Sequence, residues 1–105
     1  MSEIKVSVTF RHIQPTDALK RYAEQKIHRI GKFFSHPLDA HVILAVDGKE
    51  RQLAEVELRT RGTTILGKEQ HHDLYAAIDL AIDKIERQIN KRKEKNKLER
   101  RKSNP

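Results

Sequence analysis

Apolar and polar residues alternate at every step through Ile4-Lys5-Val6-Ser7-Val8-Thr9-Phe10, the period-two pattern of a strand with one buried face. The period changes after Pro15-Thr16-Asp17. Leu19, Ala23, Ile27, Ile30 and Phe34 recur three or four residues apart and draw one apolar stripe down a helix. Thr16 is the expected N-cap, Asp17 suits the positive end of the helix dipole, and Gly31 is the expected C-terminal signal. Ala40–Val46 is nearly all apolar between Pro37 and Asp47-Gly48, which predicts a central strand. Asp47-Gly48-Lys49-Glu50 is turn chemistry. Leu53–Thr60 alternates again, with Ala54, Val56 and Leu58 inward and Glu55, Glu57 and Arg59 outward. Arg61-Gly62 then turns the chain into a fourth, β-branched strand, Thr63–Lys68, where Gly67 marks a bulge or an end. Asp73 is the expected cap of a second helix. Its Leu74, Ile78, Ile82, Ile85 and Ile89 share one face, with Ala77 and Ala81 beside them.

The order β-α-β-β-β-α predicts an α+β fold. It is a two-layer sandwich, a four-stranded mixed sheet with two helices on one face. The first crossover makes strands one and two parallel and right-handed, and strands two to four form antiparallel hairpins. At 105 residues the chain is one domain. Residues 1–95 form the body and residues 96–105 a basic tail. Past Lys95 the apolar partners stop, apart from Leu98, and order is expected to fade. No stretch approaches the roughly 18 apolar residues of a membrane span. Met1-Ser2-Glu3 leads straight into a strand, so no signal peptide is expected. Cysteine is absent, which excludes disulfides and thiolate metal sites and fits a cytoplasmic location.

Charge gives the first functional direction. Residues 84–105 hold ten Lys and Arg against three Glu, while residues 1–83 hold twelve of each sign. The net charge of +7 is therefore local, and a local cationic field attracts polyanions. At 100° per residue, Lys84, Arg87, Lys91 and Lys95 make one ridge along the second helix, with Gln88 beside it. Arg21, His28, Arg29 and Lys32 share a face of the first. Helices lying side by side would let both ridges bound one basic groove. The opposing reading is a solubilising surface, with Glu86 and Glu94 pairing to these cations at i+4. The outward strand positions Lys5, Ser7, Thr9, Glu55, Glu57 and Arg59 carry no aromatic platform. Recognition of RNA phosphates and shape by the helices then outranks base stacking.

Other constellations point to structure rather than chemistry. His71-His72-Asp73 lacks a further ligand at metal-binding spacing, and Asp73 is needed as a cap. His12, His36 and His41 are scattered. Asp79 and Asp83, at i and i+4, are expected to flank the basic ridge or pair with Lys84 or Arg87. Tyr22 and Tyr75 are expected at the core boundary with wet hydroxyls, and one of Phe33 and Phe34 should close the core. With no phosphate loop or nucleophile elbow, neither an enzyme nor a cofactor, metal or small-molecule substrate is expected.

The segment Asp73-Leu74-Tyr75-Ala76-Ala77-Ile78-Asp79, with Asp83-Lys84-Ile85-Glu86-Arg87-Gln88-Ile89-Asn90-Lys91, resembles the signature of the ribosome hibernation factors. These are the hibernation-promoting factors and the ribosome-associated inhibitor called protein Y. Ile13-Gln14-Pro15-Thr16-Asp17-Ala18-Leu19 and Arg29-Ile30-Gly31-Lys32-Phe33-Phe34 are also similar. The resemblance implies the same β-α-β-β-β-α fold, similar to a double-stranded-RNA-binding domain. It implies a partner, the small ribosomal subunit and its RNA, and a block of the mRNA channel and tRNA sites in stationary phase or stress. It assigns contacts to Arg21, Arg29, Lys32, Lys84, Arg87, Lys91 and Lys95, and the helix faces add His28 and Gln88. Long members carry a second, C-terminal domain and protein Y an acidic tail. This chain ends in the basic Glu99-Arg100-Arg101-Lys102-Ser103-Asn104-Pro105 and is similar to the short type, or to an excised N-terminal portion of a long one, with a monomer expected off the ribosome. Two alternatives remain. One is a general double-stranded-RNA or DNA binder. The other is a protein-interaction module that pairs its sheet face or edge with a partner.

Overall fold

The structure, a computed structural model, describes residues 4–34, 36–48 and 51–102, with the side chains of Phe33, Asp47 and 92–102 excepted. The elements follow the expected order. They are β1 (Ile4–Arg11), α1 (Asp17–Ile30) with a 3₁₀ turn (Gly31–Phe33), β2 (Leu38–Asp47), β3 (Arg51–Thr60), β4 (Thr63–His71) and α2 (Leu74–Lys102).

The sheet runs β1-β2-β3-β4. β1 pairs parallel to β2, while β2–β3 and β3–β4 are antiparallel. Thr60 pairs with Thr63, so Arg61 and Gly62 form a two-residue loop, and both have positive φ, 47° and 75°. That is the turn whose twist matches the strands it joins. Gly48 opens the β2–β3 turn at φ 79°, and Lys49 and Glu50 lie outside the described residues.

Both helices pack their apolar stripes on the same sheet face. Val42 and Leu44 of β2, Ala54, Val56 and Leu58 of β3 and Ile65 of β4 are buried against Leu19, Ala23, Ile27 and Ile30 of α1 and Ile78, Ile82, Ile85 and Ile89 of α2. Truncating any of the larger aliphatics to Ala should cost about 2–5 kcal/mol in lost transfer energy and cavity. Phe34 packs partly buried against this core, and the Phe33 side chain lies outside the described residues. Both expected caps form. Thr16 Oγ1 accepts from Leu19 N at 3.2 Å, and Asp73 Oδ1 accepts from Tyr75 N at 3.1 Å.

Three local expectations change. Gly31 is right-handed, with φ −54° and ψ −23°. The helix tightens into a 3₁₀ turn rather than stopping at a left-handed residue. Gly67 is neither a bulge nor an end. It pairs with Val56 inside β4, where a Cβ would sit 2.5 Å from the Ala81 carbonyl oxygen, so its role is close approach of α2. Finally, the α2 backbone is helical to Lys102, past the boundary placed at residue 95. Residues 90–102 contain neither Gly nor Pro and are mostly Lys, Arg and Glu, all good helix formers. Ser103, Asn104 and Pro105 lie outside the described residues.

Candidate nucleic-acid interface

The basic flank of α2 faces the free edge of β4. Lys84 Nζ lies 2.6 Å from Glu69 Oε1 and donates to the Lys68 carbonyl at 3.1 Å. Gln88 Nε2 donates to the Leu66 carbonyl at 2.7 Å. Two side chains assigned to RNA thus satisfy backbone acceptors of an edge strand, groups that otherwise need water or a partner chain. The Lys84 hydrogen bond and its charge hold the Glu69 carboxyl below the usual carboxylate range, and Arg87 adds to that pull. Arg87 and Lys91 are exposed and form no ion pair among the described residues. The Lys95 side chain lies outside them.

Arg21 and His28 on α1 and Lys32 on the 3₁₀ turn that follows it are exposed and likewise form no ion pair among the described residues. Arg29 is also exposed, but it turns toward α2. There it lines a groove with Lys26, Asp79, Ile82, Asp83 and Glu86. The expectation of one basic groove bounded by both ridges is therefore corrected. The wall that α2 contributes is acidic. At 100° per residue the mean direction of residues 79, 83 and 86 lies about 105° around the helix from that of 84, 87 and 91, with Asp83 and Arg87 the nearest pair at about 40°. The acids face α1, and the cations face β4 and solvent. The helical layer carries two cationic tracks separated by a mixed-charge strip.

The strip contains the joint between the helices. Tyr22 OH donates to Asp79 Oδ1 at 2.6 Å, and Lys26 Nζ lies 3.3 Å from the same oxygen. The Tyr22 and Tyr75 rings meet edge to face at 4.9 Å. Lys26 sits 5.4 Å from the Tyr22 centroid, within cation–π range. Burial, then the bond to Asp79 and its charge, push the Tyr22 phenol up to about 12. Asp79 thus pairs with Lys26 and Tyr22, not with Lys84 or Arg87, and the Tyr22 hydroxyl is engaged rather than merely wet. Glu86 forms no ion pair among the described residues, so the i+4 pairing does not account for it. The Glu94 side chain lies outside them.

Residue patterns alone missed this joint and the Lys84–Glu69 pair. Both had a signal. Tyr22 and Lys26 are i, i+4 neighbours, and Glu69 continues the inward alternation of Ile65 and Gly67.

The open sheet face carries no Phe, Tyr or Trp among its described residues. It holds the bond between Thr9 Oγ1 and His41 Nε2 at 2.8 Å and the Arg59–Glu57 pair. His71 Nδ1 accepts from Asp73 N at 3.0 Å, so this His and Asp help start α2. Among the described residues no three His, Cys, Asp or Glu side chains gather as metal ligands, and no helix is long and apolar enough to cross a membrane.

Residues 6–97 match the family described as Sigma 54 modulation protein / S30EA ribosomal protein. A ribosome hibernation promoting factor of Azotobacter vinelandii is 38% identical over 92 residues, covering 88% of this chain and 85% of that protein. A ribosome hibernation promotion factor of Lactococcus lactis is 35% identical over 92 residues, covering 86% of this chain but 50% of that protein. Among solved structures, the N-terminal domain of Thermus thermophilus Protein Y superposes with a TM-score of 0.75 at 31% identity, covering 83% of this chain and 97% of that one. With the motif around α2, the fold and the match over residues 6–97 in agreement, the chain belongs to the Sigma 54 modulation / S30EA family of ribosome hibernation factors.

Proposed function

We propose that this protein is a non-enzymatic ribosome hibernation factor. It docks on the small ribosomal subunit in the decoding region and inhibits translation by occupying the mRNA channel and the tRNA sites. The observation that carries this reading is the family match across residues 6–97. The charge layout supports it, because the exposed cations Arg21, Lys32, Arg87 and Lys91, with the exposed imidazole of His28, form no ion pair among the described residues and all lie on the helical layer, where they can meet phosphates. Arg29, Lys84, Gln88 and Lys95 complete the contact set. Lys84 and Gln88 reach RNA only by sharing or surrendering their β4 contacts. Inhibition is steric. No bond is made or broken, and binding is driven by counterion release from ribosomal RNA. Such a factor acts in the cytoplasm with the ribosome, under stress or in stationary phase.

Sedimentation with purified small subunits tests the reading. Binding should weaken as salt rises, with a log–log slope of about −4 to −5 if roughly six phosphates are neutralised, and tRNA or mRNA filling the channel should displace the protein. Arg87→Glu and Lys91→Glu, with circular dichroism unchanged, should each lose cosedimentation and translation inhibition. Inhibition unchanged in both variants would remove Arg87 and Lys91 from the interface. Equal binding to any RNA duplex, indifferent to tRNA, would favour the general RNA-binding alternative.

A further inference from the structure

The two edges of the sheet are treated differently. On β4, Lys84 and Gln88 cover the Lys68 and Leu66 carbonyls. On β1, no hydrogen bond from outside the β1–β2 ladder reaches the backbone among the described residues. β1 is eight residues long and free of proline. Its inward residues Ile4, Val6, Val8 and Phe10 are only partly buried, whereas Ala40, Val42 and Leu44 of β2 and Ala54, Val56 and Leu58 of β3 are buried. Backbone groups and apolar side chains are thus open along the same line, the condition under which an edge strand recruits another.

We infer that β1 pairs antiparallel with β1 of a second copy of this chain, about a two-fold axis through Ser7. The sequence of the strand selects this occupant and this register. With Ser7 opposite Ser7, Val6 faces Val8, Ile4 faces Phe10 and Lys5 faces Thr9 of the other copy, and every opposed pair belongs to one face of the joined sheet. A shift of one step, centred on Val8, would set Lys5 opposite Arg11, a like-charge pair that destabilises. The pairing is isologous, as a two-fold contact must be. It makes an eight-stranded sheet whose helices, with their cationic tracks, lie on one side. The contact is one strand wide, so the dimer is weak and dependent on concentration. It departs from the monomer expected off the ribosome, because an edge strand leaves no mark in composition. It does not rest on the proposed function.

The chain has no cysteine, which gives a clean test. Directly opposed residues of an antiparallel pair have Cα atoms about 4.5–5.5 Å apart, within the disulfide range of about 4.4–6.8 Å. Under mild oxidation, Ser7→Cys should form a covalent dimer at least about tenfold faster than Gln70→Cys, a control that is also exposed, on β4. In sedimentation equilibrium the native chain should gain mass with concentration, and Ser7→Lys, which opposes two cations across the axis, should stay monomeric. Cross-linking of Ser7→Cys no faster than Gln70→Cys, with the native chain monomeric to about 1 mM, would overturn the inference whether or not the chain binds ribosomes.

Discussion

Asp79 shows how one carboxylate can set the relation between two helices. It accepts from Tyr22 at 2.6 Å and pairs with Lys26 at 3.3 Å, and both partners come from α1. The energetics follow from protonation. The phenol is pushed up to about 12 from its ordinary 10. A raised folded-state pKa stabilises the fold fully below the unfolded value and loses that contribution as pH climbs through the folded one. Stability should therefore hold through neutral pH and decline from about pH 10 toward pH 12. Tyr22→Phe removes the titrating group. It should cost about 1 kcal/mol at pH 7, the usual scale of one hydrogen bond, and flatten the alkaline decline. Urea unfolding at several pH values, with tyrosinate absorbance read in parallel, checks both parts. An identical alkaline slope in native and variant would show that this hydroxyl is not the group responsible.

At the scale of elements, spacing is informative and adjacency is not. Each strand and helix could be placed from a period of two or 3.6. Thr16 and Asp73 could be assigned as caps because the donors they satisfy lie two or three residues away in the same chain segment. Gly67 was harder. A lone glycine in a strand pattern marks a bulge, an end or a close approach, and only the identity of the covering element decides among them. Here that element is α2, whose Ala77 and Ala81 keep its surface low over β4. The cationic ridges met the same limit. Helical angles fixed which residues share a flank, but not that the Lys84 flank borders β4 while the Asp83 flank borders α1. That depends on which side of α2 receives α1, a long-range fact with no local signal. Gly67→Ala tests the packing directly. Its Cβ would meet the Ala81 carbonyl oxygen at 2.5 Å and Ile85 Cγ1 at 3.0 Å. The first neighbour is backbone, so α2 must shift. Overpacking of this kind costs about 1–3 kcal/mol, and the urea midpoint should fall with an unchanged m value. An unaltered midpoint would mean that α2 has more freedom over β4 than the contacts suggest.

Across the whole molecule, charge is arranged in bands rather than as one patch. The net +7 is contributed by the stretch from Lys84 onward, toward the negative end of the α2 dipole, where cations are favourable. Part of this placement therefore serves the helix itself. Arg29 and Lys32 likewise lie at the C-terminal end of α1, so what the helix dipoles do not explain is Arg21 in the second track, or the strip of Asp79, Asp83 and Glu86 between the two. On the proposed reading, a single phosphate chain cannot run across both tracks without passing these carboxylates, so each track engages its own stretch of RNA backbone. Tracks that share no partner should contribute additively. Arg21→Ala with Lys32→Ala should reduce the steepness of the salt dependence of small-subunit binding by about 1.5, at 0.7–0.9 per lost phosphate contact. Arg87→Ala with Lys91→Ala should do the same, and the fourfold variant should lose about 3. Equilibrium binding at four or five salt concentrations measures all three slopes. If either double variant already removes the whole effect of the fourfold one, the tracks act on one shared backbone, and the mixed-charge strip does not divide the interface.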